Sequence, residues 1–467
     1  MLIMDPLPPD NLSAPLPGNV AGEVSGRSAW SRSNLTLGQW QIWYELRLGS
    51  SSRPHYTRSP LSAAFTFYAN LDTRLFRQAF QSVVERSDGL RTVFVEEDSV
   101  PQRHVLPSIP MAMDIVDLSA TYQPSAAYEQ WMAERDLRPL SPADRLFDST
   151  LLRLSDQHYV WRLVLHRLIA DSHTLGLVYR YTADAYAAAA SGTIDALGAL
   201  PSFEDYARHD RKQAGTAVAP EGRGSAQPLG RPAKPLPVPG ERYVLDLGTE
   251  RTARLRRTAA EAAAAAALGS DETGAAIFLI AASVLAALLA RRRRCRCVYI
   301  DTDLDLRHLG PWQDTPGRIS RAHTLTVEDV QQQSLDSLTA RLGRELAKAY
   351  QGGQGAQNAD RPVPACSALL QVDDVAFPPF AGAEVKVARL DTCYSLRKSG
   401  EAHEARLEPS ICLRIEGYSG RDNLKAVFTF GSGHLGETRG PQLAQEYMRL
   451  LDALLSAREQ PISSLCL

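Results

Sequence analysis

The chain has 467 residues, 44% of them apolar, which is enough to fill the cores of two ordinary domains. Its 51 Lys and Arg side chains nearly balance 53 Asp and Glu side chains. The formal net charge of -2 argues against a global attraction to nucleic acid or to an anionic membrane. The six cysteines are too scattered for a disulfide framework and favour a reducing cytoplasm. Cys295 and Cys297 lack the second ligand pair of a structural zinc site, so we predict no metal site.

Shifts in composition divide the chain into four parts. Residues 1–32 are rich in Pro, Ser, Gly and Asn and lack the basic and apolar regions of a secretory signal. We expect a flexible tail there, whose removal would leave the melting temperature almost unchanged. Residues 215–240 are rich in Pro and Gly and predict a linker between an N-terminal lobe at 33–214 and a C-terminal lobe at 241–467.

Both lobes mix helical and strand patterns, which predicts an α/β fold for each. Apolar residues at helical spacing alternate along the chain with short runs that have the period of a strand. In chain order, these patterns predict a helix at Thr73–Glu85, strands at Gly89–Val95 and Tyr159–His166, helices at Thr174–Ala190, Thr252–Leu268 and Ala275–Ala290, and a strand at Cys297–Ile300.

One uncharged run admits two interpretations. Residues Gly274 to Ala290 carry no charge and are followed by four arginines, Arg291 to Arg294, which is also the pattern of a membrane anchor with a positive flank. The run has 17 residues, the short limit of a membrane span, and much of it is Ala and Gly. We therefore favour a buried core helix and expect no membrane partner.

The segment from Val164 to Gly176 reads VLHRLIADSHTLG. It resembles the His-His-x-x-x-Asp-Gly signature of condensation domains from nonribosomal peptide synthetases, which belong to the chloramphenicol-acetyltransferase-like superfamily. In that family the second His positions or deprotonates the attacking amine or hydroxyl. Here Arg167 occupies its place. A guanidinium has no acceptor atom and stays protonated, so it cannot take a proton as a neutral imidazole does.

Other segments resemble condensation-domain motifs in the expected order. Residues 35–43 (LTLGQWQIW) are similar to the opening Leu-Ser-x-Ala-Gln-x-x-Leu-Trp, 86–94 (RSDGLRTVF) to Arg-His-Glu-x-Leu-Arg-Thr-x-Phe, and 203–207 (FEDYA) to Tyr-x-Asp-Tyr-Ala. The C-terminal lobe diverges further, since 298–307 (VYIDTDLDLR) and 316–327 (PGRISRAHTLTV) keep only part of the family pattern.

The resemblance implies two chloramphenicol-acetyltransferase-like lobes that form a V-shaped pseudo-dimer with a central tunnel. It also implies a stand-alone protein whose partner in trans is an acyl or peptidyl carrier protein. The carrier's phosphopantetheine arm would enter the tunnel, and no cofactor would bind directly. We expect no nucleic-acid partner.

The resemblance further assigns roles to residues of the site. Asp171 is expected to be structural and to pair with an arginine of the other lobe, for which Arg307 is the best candidate. His166 is expected to pack beneath the loop and support it. Ser172 stands where the family has Gly, and His173 is a weak candidate for the missing base because it could reach the site only if the loop rotated.

Three more residues are assigned to the tunnel or its support. They are Arg91, Arg321 and His323. Arg321 occupies the place of a family Asn, so the tunnel would hold it as a second arginine beside Arg167. His323 should face the same side of its strand as Arg321. Two confined cations could hold a carboxylate or a phosphate.

Two functions remain open. The first is a noncatalytic platform similar to the X-domains of glycopeptide assembly lines, whose signature also has Arg for the second His and which recruit tailoring oxygenases. The second is an atypical acyltransferase that forms an amide or ester bond from a carrier-protein thioester by positioning alone. The loss of the general base at Arg167 favours the first.

Overall fold

The computed structural model describes the chain in several ranges separated by gaps. These ranges are 26–48, 60–135, 140–214, 237–239, 241–265, 273–351, 367–373, 375, 377–390, 394–396, 411–417, 423–430 and 439–464. Most of the predicted linker lies outside them. Residues 237–239 of that linker are described and form a short strand.

Helices and strands alternate through both halves, as the sequence predicts. The helices are α1 (Gly26–Arg32), α2 (Leu37–Leu48), α3 (Thr73–Arg86), α4 (Pro124–Arg135), α5 (Ser172–Ala190), α6 (Phe203–Ala214), α7 (Gly248–Ala265), α8 (Thr273–Arg293), α9 (Leu335–Gln351) and α10 (Arg439–Ser456). The strands are β1 (Leu61–Phe67), β2 (Thr92–Glu97), β3 (Val100–Val105), β4 (Asp114–Asp117), β5 (Phe147–Ser155), β6 (His158–Leu165), β7 (Pro237–Pro239), β8 (Glu241–Asp246), β9 (Cys297–Asp305), β10 (Ser320–Glu328), β11 (Ser367–Asp373), β12 (Val385–Arg389), β13 (Tyr394–Leu396), β14 (Ile411–Glu416) and β15 (Lys425–Phe430).

Each lobe is built on one principal sheet. The N-terminal sheet has the order β12-β1-β6-β5-β4, and the C-terminal sheet has the order β10-β9-β11-β14-β15-β8. Two short antiparallel pairs, β2 with β3 and β7 with β13, complete the pairing among the described strands. Helices cover the sheets and produce two separate apolar cores, as two packed α/β units require.

The two halves of the sequence exchange elements, which corrects the predicted lobe boundaries. Strand β12 follows residue 241 in sequence, yet it pairs antiparallel with β1 at the edge of the N-terminal sheet. Its Val385 belongs to the N-terminal core. Helix α6 precedes the linker, yet its Phe203 and Tyr206 pack in the C-terminal core. The lobes are therefore interlocked rather than joined by the linker alone.

The prediction that residues 1–32 form a flexible tail is wrong for residues 26–32. Residues 26–32 form helix α1, in which Trp30 is only 6% exposed and contacts Trp40 edge to face. The guanidinium of Arg211 lies 4.2 Å from the Trp30 ring centroid. A Pro-rich sequence context concealed this short stretch of buried aromatic surface. Residues 1–25 lie outside the described residues.

Helix α8 is the predicted uncharged helix, three residues longer at its C-terminal end than the expected Ala290. It is the one helix within the described ranges that is long and apolar enough to cross a membrane. Of its most apolar stretch, 83% is buried inside the protein. It packs at the centre of the C-terminal core, which confirms the interpretation as a core helix.

Candidate functional site

The loop that carries the signature begins where β6 ends and finishes as α5 begins. Asp171 is the N-cap of α5, and its Oδ1 accepts the backbone N–H of Thr174 at 2.9 Å. Such caps satisfy N–H groups that a helix start leaves without partners. The side chain of Gln39 donates to the Leu168 carbonyl at 3.0 Å and fixes the middle of the loop.

Asp171 and Arg307 form the predicted pair. Arg307 Nη1 donates to Asp171 Oδ2 at 2.8 Å, and both side chains are at least 95% buried. The same oxygen accepts the N–H of Ile319 at 2.9 Å, and Arg307 Nη2 donates to the Gly317 carbonyl at 2.8 Å. We call these residues, with Thr174, the interlobe seam. A buried pair surrounded by further hydrogen bonds can offset its own desolvation.

The interlobe seam lowers the pKa of the Asp171 carboxyl group. Burial acts to raise the pKa of Asp171, but the charge and hydrogen bond of Arg307, together with the Thr174 N–H, hold this pKa well below its usual range. Asp171 is therefore ionised throughout the physiological range.

Close backbone approach at the seam requires glycine at two positions. Gly317 has φ +156°, and a Cβ there would lie 2.0 Å from the Phe203 ring. A Cβ on Gly38 would lie 2.2 Å from the Ser320 carbonyl oxygen. Because side chains are excluded at both points, the segment before β10 lies directly against α6 and the start of α2.

Arg167 is buried beside this seam, at 2% exposure. Its Nη1 lies 3.8 Å from Asp303 Oδ2. Arg318, which is 0% exposed, donates from Nη2 to the other oxygen of Asp303 at 3.0 Å and from Nε to the Gly38 carbonyl at 3.3 Å. Two guanidinium groups thus meet one carboxylate. We call Arg167, Arg318 and Asp303 the arginine cluster.

His166 is held in a form that is poorly suited to accept a proton. Its Nδ1 accepts the N–H of Leu168 at 3.1 Å, so in the neutral ring the hydrogen is on Nε2. Burial, followed by the positive charges of Arg167 and Arg318, lowers the pKa of His166 to about 4. The imidazole is consequently neutral at physiological pH and supports the loop, as the sequence predicts.

The other candidate bases lie away from the arginine cluster. His173 has its Nε2 2.9 Å from the Gln313 carbonyl and its Nδ1 3.7 Å from Asp305, so it lies at the rim of the interlobe seam. Ser172 is the half-buried first residue of α5. Arg91 donates to the carbonyls of Leu106 and Pro107, and the structure does not bring it into the cluster.

The expected role of Arg321 is wrong. Arg321 and His323 do share one face of β10, but the residues opposite them in the register are Leu304 and Thr302, whereas Asp303 lies opposite Ala322. Side chains of directly opposed residues lie on the same face of a sheet, so Arg321 and His323 lie on the face away from Asp303.

Each of these two residues has a different environment from the one expected. Arg321 pairs with Asp210 of α6 at 2.6 Å. Burial lowers the pKa of His323, and its Nε2 has no hydrogen-bond partner among the described residues. The second arginine of the cluster is Arg318, which the sequence analysis missed.

Asp303 was missed as well, although a signal for it was present. Strand β9 carries Asp301, Asp303 and Asp305 at alternating positions, and these positions are half-buried while the intervening ones are buried. Each carboxylate has a hydrogen-bond donor: Thr324 donates to Asp301, Arg318 to Asp303, and Arg307 to Asp305. A strict alternation of acids in a strand indicates a charged face.

The arginine cluster is suited to donating hydrogen bonds. Both guanidinium groups are donors only, Asp303 is already engaged by both, and His166 Nδ1 is occupied. Such a set can hold a carbonyl oxygen or an anion. It lacks the neutral imidazole acceptor that general-base catalysis at the position of Arg167 would need.

Comparison with known proteins supports the resemblance seen in the sequence. Residues 34–221 match the model of the condensation-domain family. Isonitrile lipopeptide synthase of Streptomyces coeruleorubidus is 31% identical over 204 residues, which are 41% of this chain and 14% of that protein. Phosphinothricin tripeptide synthetase of Streptomyces viridochromogenes is 29% identical over 182 residues, which are 38% of this chain and 16% of that protein. The chain thus spans a small part of the length of these relatives.

Solved structures extend the similarity to both lobes. The first condensation domain of the CDA synthetase has a TM-score of 0.67 at 17% identity, covering 92% of this chain and 98% of that one. The starter condensation domain of rhizomide synthetase has a TM-score of 0.65 at 18% identity, covering 93% and 98%. At these identities the similarity shows that the fold is shared.

Proposed function

Because residues 34–221 match the model of the condensation-domain family and the chain has the fold of condensation domains, we propose that this protein is a noncatalytic recruitment platform of nonribosomal peptide or peptide-polyketide biosynthesis. It binds a carrier-bound intermediate and presents it to another enzyme, such as a tailoring oxygenase. A carrier protein is its partner, and the carrier's phosphopantetheine arm reaches the space between the lobes.

The state of the family's catalytic position carries this proposal. Arg167 is buried beside Asp303 and Arg318, where a guanidinium remains charged and offers donors only. His166 cannot replace the base, because its Nδ1 is engaged by the Leu168 N–H and the other nitrogen carries the hydrogen. General-base assistance typically contributes about a hundredfold to ten-thousandfold in rate, so its loss removes the ordinary mechanism.

The interlobe seam explains why a noncatalytic protein would keep the fold. The bonds of Arg307 to Asp171 and to the Gly317 carbonyl hold the two lobes together regardless of the side chain at position 167. A scaffold that keeps this geometry retains the outer surfaces that a carrier protein recognises.

One observation favours a second candidate, an atypical acyltransferase. Arg167 and Arg318 together place two buried guanidinium groups around one carboxylate. Donors of this kind stabilise the oxyanion that forms when an acyl group is transferred. In this function the acceptor would have to lose its proton without an enzymic base.

The experiment that separates the two functions supplies a carrier protein loaded with an acyl group, together with amine and alcohol acceptors, and follows the carrier by intact mass. For a platform, the wild-type protein should leave the acyl group on the carrier for as long as a buffer control does. Arg167→Ala should bind the carrier as the wild type does. Arg167→His should not by itself restore turnover, because Arg318 stays beside Asp303.

A matched control is Arg103→Ala, since Arg103 is also a buried arginine with an acidic partner, Glu204 at 2.7 Å. Enzyme-dependent loss of the acyl group in the wild type would contradict the platform. If Arg167→Ala, but not Arg103→Ala, then slowed that loss about a hundredfold, the acyltransferase would replace it as the function.

A further inference from the structure

The most concentrated positive charge in the chain lies outside the site described above. Residues 291–296 read Arg-Arg-Arg-Arg-Cys-Arg, so five of six side chains are basic in a protein whose net charge is -2. The run begins in the last turn of α8 and ends one residue before β9. Arg291, Arg292, Arg294 and Arg296 are all exposed. We call these four side chains the arginine patch.

Part of this run has an ordinary structural explanation. Positive side chains in the last turn of a helix interact favourably with its dipole. Arg292 contacts Glu446 of α10, and Arg296 donates to Asp329 at 2.9 and 3.0 Å. These contacts orient the patch on neighbouring elements. They do not hide it, because the Arg296 side chain remains 88% exposed.

Arg294 is not explained in this way. It follows the last residue of α8 with φ +50°, the left-handed conformation in which helices commonly end and for which glycine is preferred. Among the described residues it has no hydrogen bond or ion pair that would offset this conformation. Its exposed guanidinium can therefore contact a binding partner.

The patch is also far from the arginine cluster. Strand β9 runs from Cys297, beside the patch, to Asp305, beside the interlobe seam. Cys297 and the cluster residue Asp303 are six positions apart on this strand, about 20 Å, so the arginine patch is separate from the arginine cluster. Its four side chains lie on an open helix end and strand start, a shape that fits a broad surface rather than a small anion.

We propose that the arginine patch docks an acidic surface of a partner protein, and that this partner is the carrier protein of the recruitment function. Naming the carrier rests on the proposed function. The acidic character of the partner rests on the patch alone. Charge complementarity of this kind speeds association and sets orientation, and it weakens as salt is added. The nearby acids Glu446 and Asp329 interrupt the patch, which suits a protein surface better than the continuous negative charge of a nucleic acid.

The test measures the affinity of a phosphopantetheine-bearing carrier protein for the full chain by fluorescence anisotropy. Arg294→Gly should lower it about fivefold, the effect of one charge at the rim of an interface, without lowering the melting temperature, because glycine suits the positive φ. The double variant Arg294→Glu with Arg296→Glu should lower it about a hundredfold, since two attractive charges become repulsive. Both effects should shrink in high salt.

Asp329→Asn is the matched control. Asp329 also has a positive φ of 50°, which asparagine tolerates, and it opposes Arg296 in the same patch. Removing this negative charge should leave carrier binding unchanged or make it tighter. A helical peptide with glutamates along one face, compared with its glutamine counterpart, tests the acidic preference without the carrier.

The possible failures are distinguishable. If the double variant binds the carrier with wild-type affinity, the docking proposal is overturned and recruitment stands. If the wild type binds no carrier, both the recruitment function and the identification of the carrier as the partner of the patch are overturned. The two peptides then test separately whether the patch prefers an acidic protein surface. Equal affinity for both peptides, or a preference for single-stranded DNA over the glutamate peptide, would overturn the patch as a site for an acidic protein.

Discussion

The interlobe seam and the arginine cluster are two arginine-carboxylate groupings, both formed between a residue near the start of α5 and the C-terminal lobe, and they differ in how tightly they are built. At the seam, Arg307 and Asp171 lie 2.8 Å apart, and each makes further hydrogen bonds to backbone groups. In the cluster, Arg167 lies 3.8 Å from an Asp303 that also bonds to Arg318.

This difference indicates that the interlobe seam holds the two lobes together, whereas the arginine cluster contains the candidate functional groups. The seam keeps the pairing that the resemblance to condensation domains predicts, although Arg167 stands where those domains have the second His of their signature. Its energy comes from contacts that do not involve position 167. A change of the chemical group at Arg167 is therefore compatible with an intact fold, and the two groupings should respond differently to substitution.

The largest expected effect is at the seam. Asp171→Ala should reduce the free energy of unfolding by about 3–5 kcal/mol, because it leaves Arg307 buried without its principal counter-charge. Chemical denaturation measures this loss. Asp305→Ala is the control, since Asp305 contacts the same guanidinium at 3.2 Å but is 46% exposed, and it should cost less than about 1 kcal/mol. Equal losses of unfolding free energy in the two variants would show that the buried Asp171 stabilises the protein no more than the partly exposed Asp305.

We expect a smaller loss of stability at acidic pH, because His166 is buried as a neutral imidazole. The unfolded chain binds a proton at this residue below about pH 6.5, whereas in the folded protein burial and the neighbouring arginines lower the pKa of His166 to about 4. Between these values the unfolded state holds more protons, so stability falls as pH falls through this window, by about 3 kcal/mol for this one group. Denaturant unfolding at several pH values measures the slope.

His166→Asn should remove most of that slope, because the asparagine oxygen can still accept the Leu168 N–H and does not titrate. Burial also lowers the pKa of His323, so this residue should leave a slope of the same sign in the variant. The exposed His209→Asn is the control and should keep the full wild-type slope. An unchanged slope in His166→Asn would mean that burial and the neighbouring arginines do not hold this imidazole neutral.

We expect the smallest change in the free energy of unfolding for a substitution in the arginine cluster. Arg167→Met should change the free energy of unfolding by about 1 kcal/mol or less, since Asp303 keeps its 3.0 Å bond to Arg318 and an apolar side chain tolerates burial. Arg307→Met should cost about 3–5 kcal/mol, because Asp171 would then be a buried charge without its arginine. If the two variants lost similar stability, Arg167 would be as structural as the seam.

Much of the fold could be predicted because it depends on local periodicity. Helix α3 was expected at Thr73–Glu85 and is found at Thr73–Arg86. Helix α5 begins two residues earlier than expected, and α8 begins two residues earlier and ends three residues later. The pairing of Asp171 with Arg307 was also predictable, because both positions resemble the family motifs. A buried carboxylate after an apolar strand needs a nearby cation, and the motif named one.

The amino-acid sequence was therefore enough to predict most helices and strands, the resemblance to condensation domains and the Asp171–Arg307 pair, and it shows an arginine at position 167. Three features depend on contacts between distant parts of the chain: Arg318 is the second arginine beside Arg167, β12 joins the N-terminal sheet, and α1 packs against Trp40. The physical reason is that side chains alternate between the faces of a strand, so a motif comparison alone could not tell which face Arg321 takes. Strand register and the turn at Gly317 place Arg318 beside Asp303 and turn Arg321 away from it, and both depend on contacts between distant parts of the chain.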